Sequence, residues 1–141
     1  MKKILIINSN YYKKISNNLV SSAIKKLSKV KLSISIIEVP GVFEVPIELK
    51  KNIKKFDGFI VLGCVIKGQT PHFDLICSTT FDAIMKLSID NCKPIGNGII
   101  TALNIKQAIE RSKKTKSNKP NKGSEAANAV LFILKNEPQK I

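Results

Sequence analysis

Apolar runs of strand length alternate along the chain with longer stretches in which apolar residues recur at helical spacing. Four runs rich in isoleucine, leucine and valine have the length of buried strands, at residues 3–8, 32–39, 59–66 and 94–101. The helical spacing predicts helices at residues 16–30, 47–55, 73–88, 104–112 and 124–136. The repeated order of strand and helix predicts an α/β fold, in which helices cover both faces of a parallel sheet.

Length and composition indicate a single domain, residues 1–141, that is large enough to bury one core. No uncharged run approaches the roughly 20 residues of a membrane span. The apolar start is too short for a signal peptide, and we interpret it as the first strand of a cytoplasmic protein. Cys64, Cys77 and Cys92 form no C-x-x-C pair, which predicts small buried side chains rather than a disulfide framework or a zinc site.

A net charge of +14 raises the question of nucleic-acid binding. Only Arg111 among the 24 cations is arginine, although the planar fork of arginine suits contacts with bases and phosphates. The lysines lie in every predicted helix, as a drift in overall composition would produce. The sequence therefore disfavours nucleic-acid binding as the main function, which would need a cluster of lysines on one face that the sequence cannot show.

Ligands of parallel α/β sheets bind at the carboxyl ends of the strands. This rule selects four segments of the chain, residues 9–12, 40–44, 64–72 and 97–101. A sheet of four strands also leaves much helix surface apolar, so we expect the chain to form oligomers.

The segment 64–72 contains His72, the one histidine of the chain. Gly68 would allow a sharp turn, and Thr70 followed by Pro71 resembles an N-cap with proline at the first helical position. The free N–H groups of such a helix start suit a phosphate or a carboxylate. His72 is then either the acid/base of an active site or an incidental surface histidine, and its location alone favours neither.

The remaining candidates carry weaker signals. Glu44 could pair with ring N–H groups or sugar hydroxyls, or it could simply begin a helix. Tyr11 or Tyr12 could stack on an aromatic ligand, although exposed tyrosines are common in loops. A lone Arg111 suggests an anion that requires guanidinium geometry, or chance. The sequence lacks the glycine-rich nucleotide loops and the G-x-S-x-G and H-E-x-x-H motifs, which argues against standard nucleotide, serine-hydrolase and zinc chemistry.

Together, the motifs "VPGVFE", "LGCVIKGQTPHFD", "GIIT" and "NIKQAIERS…NKG" resemble the lumazine synthase family of riboflavin biosynthesis, in order and spacing from about residue 3 to residue 134. The resemblance implies a flavodoxin-like three-layer fold with a four-stranded parallel sheet, assembled into pentamers or capsids of pentamers, with active sites between subunits. It implies a transferase that uses no metal or organic cofactor and condenses 5-amino-6-(D-ribitylamino)uracil with 3,4-dihydroxy-2-butanone 4-phosphate. Riboflavin synthase is the partner that it suggests.

The resemblance also assigns roles by motif position. The ribitylaminouracil site would comprise Tyr11, Val42, Phe43, Glu44, Cys64, Val65, Ile66 and Asn97. The butanone phosphate would be held by Gln69, Thr70, Lys122 and, from the adjacent subunit, Arg111. His72 would transfer protons during the condensation.

The chain departs from the family pattern in several places. Asn97 stands where many members have an aromatic residue that stacks on the substrate ring, Lys67 replaces a frequent arginine, and Pro71 replaces a threonine or alanine. A binding protein with degraded catalysis is therefore the alternative to the enzyme, although His72 and the other motif residues favour the enzyme.

The lysine-rich residues 113–123 predict a solvated loop that is longer than in many members. In this family longer versions tend to accompany free pentamers, so we expect a pentamer. Either Lys119 or Lys122 could reach the phosphate site, and the sequence does not decide between them.

Overall fold

The computed structural model describes residues 1–114 and 120–141. Its strands form one parallel sheet in the order β2-β1-β3-β4, where β1 is Lys2–Ser9, β2 is Leu32–Val39, β3 is Gly58–Ile66 and β4 is Ile95–Ala102. Five helices flank it: α1 (Lys13–Leu27), α2 (Val45–Asn52), α3 (His72–Asn91), α4 (Ile105–Ser112) and α5 (Lys122–Lys135). A 3₁₀ turn at Val42–Glu44 precedes α2. The predicted three-layer α/β fold is confirmed.

Two apolar cores lie on opposite faces of the sheet, because successive side chains of a strand alternate between its faces. The core between the sheet and helices α1, α4 and α5 includes Ile6, Leu19, Ile60 and Val130. The core between the sheet and helices α2 and α3 includes Ile7, Leu49, Phe59 and Ile84. The central strands β1 and β3 are therefore covered on both faces, as their continuous apolar runs predicted.

Two glycines allow α5 to lie close to both β4 and α1. A Cβ on Gly96 would collide with the carbonyl of Ala126, and one on Gly123 would collide with the carbonyl of Leu19. Neither glycine has a positive φ, so the fold requires their small size rather than their backbone freedom.

The start of α5 corrects the predicted loop. Lys122 and Gly123 belong to the helix, because the side chain of Asn121 caps it by accepting a hydrogen bond of 3.1 Å from the Ser124 N–H. Residues 115–119, which include Lys119, lie outside the described residues. Within the described ranges, no helix is long and apolar enough to cross a membrane.

The prediction of three buried cysteines is correct for one of them. Cys64 is buried in β3, Cys77 is half-buried, and Cys92 is exposed. Cys92 is the residue that follows α3, in the left-handed conformation with φ of 50°. Its exposure therefore depends on where that helix ends. Local sequence patterns predict helix ends poorly.

All four strands run in the same direction, so their ends define two edges of the sheet. We call the residues that end or follow the strands, 9–12, 40–44, 64–72 and 103–104, the carboxyl edge. We call the residues that begin or precede the strands, 1–3, 28–31, 53–57 and 92–94, the amino edge. A strand of eight residues separates the two edges by about 25 Å.

Candidate active site

A cleft of about 780 Å³ lies at the carboxyl edge, and three of the four predicted ligand segments contribute to it. Its size is that of a small-molecule site. The predicted site residues that line it are Tyr11, Val42, Phe43, Glu44, Cys64, Val65, Ile66 and His72. The rule that ligands bind where parallel strands end therefore selected residues that the fold brings together.

The end of β3 forms the least polar part of the cleft. Cys64 is 5% exposed, and burial raises the pKa of its thiol to about 12. The thiol therefore remains protonated at neutral pH and acts as an apolar lining group. Beyond the strand, the Lys67 N–H donates a hydrogen bond of 2.9 Å to the carbonyl of Ala102, which joins this part of the edge to β4.

The 3₁₀ turn places Glu44 in the cleft. The Glu44 N–H donates to the carbonyl of Gly41 at 3.2 Å, and its carboxylate lies so near Gly41 that an added Cβ would be 3.4 Å from Oε2. Glu44 directly precedes α2 but makes no side-chain capping bond there. Among the described residues its carboxylate has no hydrogen-bond partner, so it is available to a ligand.

Two tyrosines stand side by side at the mouth of the cleft. The ring of Tyr11 is 72% exposed, whereas Tyr12 is half-buried against the core beneath α1. Their ring centroids are 5.0 Å apart at an interplanar angle of 72°, an edge-to-face contact. Burial, followed by the neighbouring Cys64 and Tyr11, raises the pKa of Tyr12. Tyr12 also lines the cleft, and its half-buried position is a feature that the sequence did not distinguish from that of Tyr11.

Helix α3 begins at His72, one residue before the span 73–88 that the helical spacing predicted and one residue after Pro71, the first helical position that the N-cap interpretation predicted. Pro71 occupies the N-cap position, and no side chain caps the helix, so the predicted Thr70 cap is wrong. Gly68 makes no special turn, because it has no positive φ and an added Cβ would meet nothing within 4 Å. His72 does lie in the first turn, as predicted. It is exposed at the cleft, and Asp74 is the acidic residue of the same turn.

The cleft of one chain does not include the residues expected to hold phosphate. Gln69 and Thr70 are exposed in the segment that precedes His72, but they are not part of the lining. Arg111 is half-buried at the end of α4, and Lys122 forms an ion pair of 3.3 Å with Glu125. Within the described residues, the binding surface for an anion is therefore incomplete.

Asn97 lies on β4, outside the cleft, and its side chain is exposed. Its Oδ1 accepts a hydrogen bond of 3.0 Å from the N–H of Ile99, so the side chain folds back along its own strand. No group of three or more His, Cys, Asp or Glu in residues 1–114 and 120–141 is arranged to hold a metal ion.

Comparisons with known proteins match the chain to one family over nearly its whole length. A family model described as 6,7-dimethyl-8-ribityllumazine synthase matches residues 1–137. The protein of that name from Blochmanniella pennsylvanica is 43% identical over 138 residues, which cover 94% of this chain and 85% of that protein. The Bartonella tribocorum protein of the same name is 37% identical over 135 residues, which cover 94% of this chain and 89% of that protein.

Proposed function

The chain belongs to the 6,7-dimethyl-8-ribityllumazine synthase family, and we propose that its active site is the cleft at the carboxyl edge. It is a transferase of riboflavin biosynthesis. It condenses 5-amino-6-(D-ribitylamino)uracil with 3,4-dihydroxy-2-butanone 4-phosphate and releases phosphate and water. The observation that supports the location is the meeting of eight predicted site residues in one cavity.

The pyrimidine substrate fits the part of the cleft between the tyrosines and the end of β3. The exposed ring of Tyr11 offers a stacking surface, and Val65 and Ile66 offer backbone groups at the end of a strand. The free carboxylate of Glu44 would accept hydrogen bonds from ribityl hydroxyls or ring N–H groups. Such charge-assisted bonds contribute about 1.5–3 kcal/mol each.

The butanone phosphate fits the start of α3. No side chain caps that helix, so its first N–H groups are open to an anion at the positive end of the helix dipole. We assign Gln69 and Thr70 to the phosphate because they directly precede this helix start. Arg111 and Lys122 would complete the site from a neighbouring subunit, since neither lines the cleft of its own chain.

His72 would transfer protons as the amine attacks the ketone and as phosphate leaves. Its exposed position at the cleft, beside the proposed phosphate position, supports this role. Proton transfer by a positioned side chain contributes typically about 10²–10⁴-fold. Holding two substrates in reactive orientation contributes more, so we expect the reaction to survive the loss of His72 at a reduced rate.

Family membership implies a homo-oligomer that acts on small molecules, and we assign it the pentameric form. Large apolar side chains are exposed on two helices: Leu75 (64%), Met85 (60%) and Ile89 (66%) on α3, and Phe132 (67%) on α5. Exposed apolar surface of this kind marks contact between subunits. A particle of capsid mass in analytical ultracentrifugation would contradict the pentamer. A cytoplasmic location and a partnership with riboflavin synthase stay predictions.

The direct test is to mix the purified protein with both substrates and follow the absorbance of the lumazine product. We expect clear acceleration over the spontaneous reaction. A binding protein with the same fold would bind the product without accelerating its formation, and that outcome would defeat the proposed active site.

A second experiment tests whether the site is shared between subunits. Glu44→Ala and Arg111→Ala each remove one half of the proposed site, on opposite sides of the interface. If the two impaired variants are unfolded together and refolded as mixed rings, about one quarter of the interfaces will carry both intact halves. Recovery of about that share of wild-type activity supports the shared site, and no recovery above either variant alone contradicts it.

A further inference from the structure

At the amino edge, lysines lie at or just before the start of every strand. In the spatial order of the sheet they are Lys29 and Lys31 at β2, Lys2 and Lys3 at β1, Lys54 and Lys55 at β3, and Lys93 at β4. Neighbouring strands are about 4.8 Å apart, so four strand starts span roughly 14 Å. The order of the strands thus gathers lysines from four separate parts of the sequence into one row, which we call the lysine row.

Little negative charge opposes the lysine row. Asp57 is the one acidic residue of the amino edge, and its Oδ2 accepts a hydrogen bond of 2.7 Å from the Lys3 N–H. That bond lowers the pKa of Asp57, partial burial opposes the change, and the charges of Lys2, Lys93 and Lys3 lower the pKa further. The carboxyl group therefore experiences a positive local field, in agreement with the row around it.

The row is not explained by helix ends or by composition alone. Lysines in the last turns of helices stabilise the helix dipole, but Lys2, Lys3 and Lys31 belong to no helix end. A general excess of lysine in the composition would place lysines at both edges alike. The residues of the carboxyl edge contain one lysine, Lys67, and one carboxylate, Glu44, whereas those of the amino edge contain seven lysines and one carboxylate.

We propose that the amino edge binds the phosphate backbone of single-stranded RNA. Because the backbone of an extended single strand separates successive phosphates by roughly 6 Å, a row of roughly 14 Å spans about three phosphates. Lysine acts as a point charge without the planar fork that reads bases, so the contact is independent of sequence. Met1 is the one large apolar residue of the amino edge that is highly exposed. A lipid surface would be bound through several such residues, so the edge favours a nucleic acid.

This surface is independent of the active site. It lies on the opposite edge of the sheet, about 25 Å from the cleft, and shares no residue with it. Each subunit of an oligomer carries its own row, so one RNA strand that reaches several rows is held more tightly than by a single row.

The test measures how binding to RNA depends on salt. A radiolabelled single-stranded RNA of about 20 nucleotides, several times the length of one row, is titrated with the full protein in a filter-binding assay. Between 50 and 200 mM KCl, the slope of log K against log salt is expected to be about −2 or steeper, from about 0.7 per phosphate over three phosphates. Absence of binding at 50 mM KCl would overturn the proposal.

The row variant carries Lys29→Gln, Lys31→Gln, Lys54→Gln and Lys55→Gln, all exposed positions. We expect at least a tenfold loss of affinity at 50 mM KCl and a slope of about −1, because most row contacts are gone. Lumazine formation by the same variant should match wild type, which also verifies that it folds. The double variant Lys31→Gln, Lys54→Gln should give an intermediate slope if the full variant does not fold.

The matched control removes the same charge elsewhere, with Lys13→Gln, Lys14→Gln, Lys106→Gln and Lys114→Gln, also exposed. Its affinity should stay within about twofold of wild type, since a screened, exposed charge acts mainly within about 10 Å. An equal loss in both variants would overturn the proposal, because binding would then follow net charge. Row-dependent binding to phosphatidylserine vesicles without binding to RNA would overturn it as well, in favour of a lipid surface.

Discussion

At the amino edge polar side chains form hydrogen bonds with the ends of strands and helices, whereas at the carboxyl edge the described polar side chains that line the cleft have no hydrogen-bond partner. Asp57 accepts from the Lys3 N–H at 2.7 Å, and the Lys93 Nζ donates to the carbonyl of Phe56 at 3.0 Å. Ser88 donates its hydroxyl to the carbonyl of Lys93 at 2.6 Å. Among the described residues, the side chains of Glu44 and His72 make no comparable bond, although both line a cleft.

This difference separates groups that hold the fold from groups available to a ligand. A hydrogen bond within the fold contributes about 0.5–1.5 kcal/mol to stability, so removing an amino-edge partner should lower stability and spare catalysis. A side chain without partners contributes little to stability, so its removal should lower activity and spare stability. Measuring both quantities for variants at each edge tests the distinction.

The largest effect is expected for Arg111→Ala. If a neighbouring subunit supplies Arg111 to the phosphate, its loss removes charge-assisted hydrogen bonds of about 1.5–3 kcal/mol and raises the KM for the butanone phosphate on the order of 50-fold. Steady-state kinetics with each substrate varied in turn measures this change. Arg111→Lys, which keeps the charge but not the fork, should recover part of the affinity. An unchanged KM would contradict the proposal that Arg111 of a neighbouring subunit binds the phosphate.

A smaller effect is expected for His72→Ala. We predict a fall in kcat of roughly 10-fold with little change in either KM or in thermal stability, because proton transfer is lost while orientation survives. Asp82→Asn, at an exposed position of the same helix away from the cleft, is the control and should leave kcat unchanged. A kcat for His72→Ala equal to wild type from pH 6 to 8 would contradict the proton-transfer role.

Tyr12 provides an intermediate case, because it belongs to both the core and the cleft. Tyr12→Leu should raise the KM for the pyrimidine about fivefold, since an edge-to-face contact contributes about 0.5–1.5 kcal/mol to holding the ring of Tyr11. Tyr12→Phe keeps the ring and should stay near wild type. If Tyr12→Leu raised the KM for both substrates alike, its effect would be general unfolding of the cleft rather than placement of Tyr11.

The smallest effect is expected for Asp57→Asn at the amino edge. The pKa of Asp57 lies below its ordinary value of 3.8, so its stabilising contribution is present above that pH and is lost as the pH falls through the folded-state pKa. Because the group is largely solvated, we expect a loss of about 0.5 kcal/mol at pH 7. Urea unfolding of both proteins at equal concentration measures it. A difference that did not shrink as the pH fell below 3.8 would contradict this origin. A reduced kcat would show that the amino edge also affects catalysis.

The sequence predicted the elements because each strand is a run rich in isoleucine, leucine or valine between more polar segments. It predicted the cleft because three of the selected segments follow β1, β2 and β3, whose carboxyl ends lie on the same side of any parallel sheet. The sequence could not predict the lysine row, because the row depends on the strand order β2-β1-β3-β4, which local patterns do not contain. The predicted N-cap, Thr70, was also wrong: Pro71 occupies that position, because backbone geometry rather than residue type determines where α3 begins.

The tyrosine pair at the cleft has an optical consequence. The chain contains no tryptophan and two tyrosines, and both stand 5.0 Å apart at the mouth of the cleft. Its near-ultraviolet emission therefore originates almost entirely at the cleft. A heterocycle that stacks on Tyr11 should quench that emission, so the unlabelled protein reports the occupancy of its own cleft. Tyr12→Phe would leave Tyr11 as the single emitter.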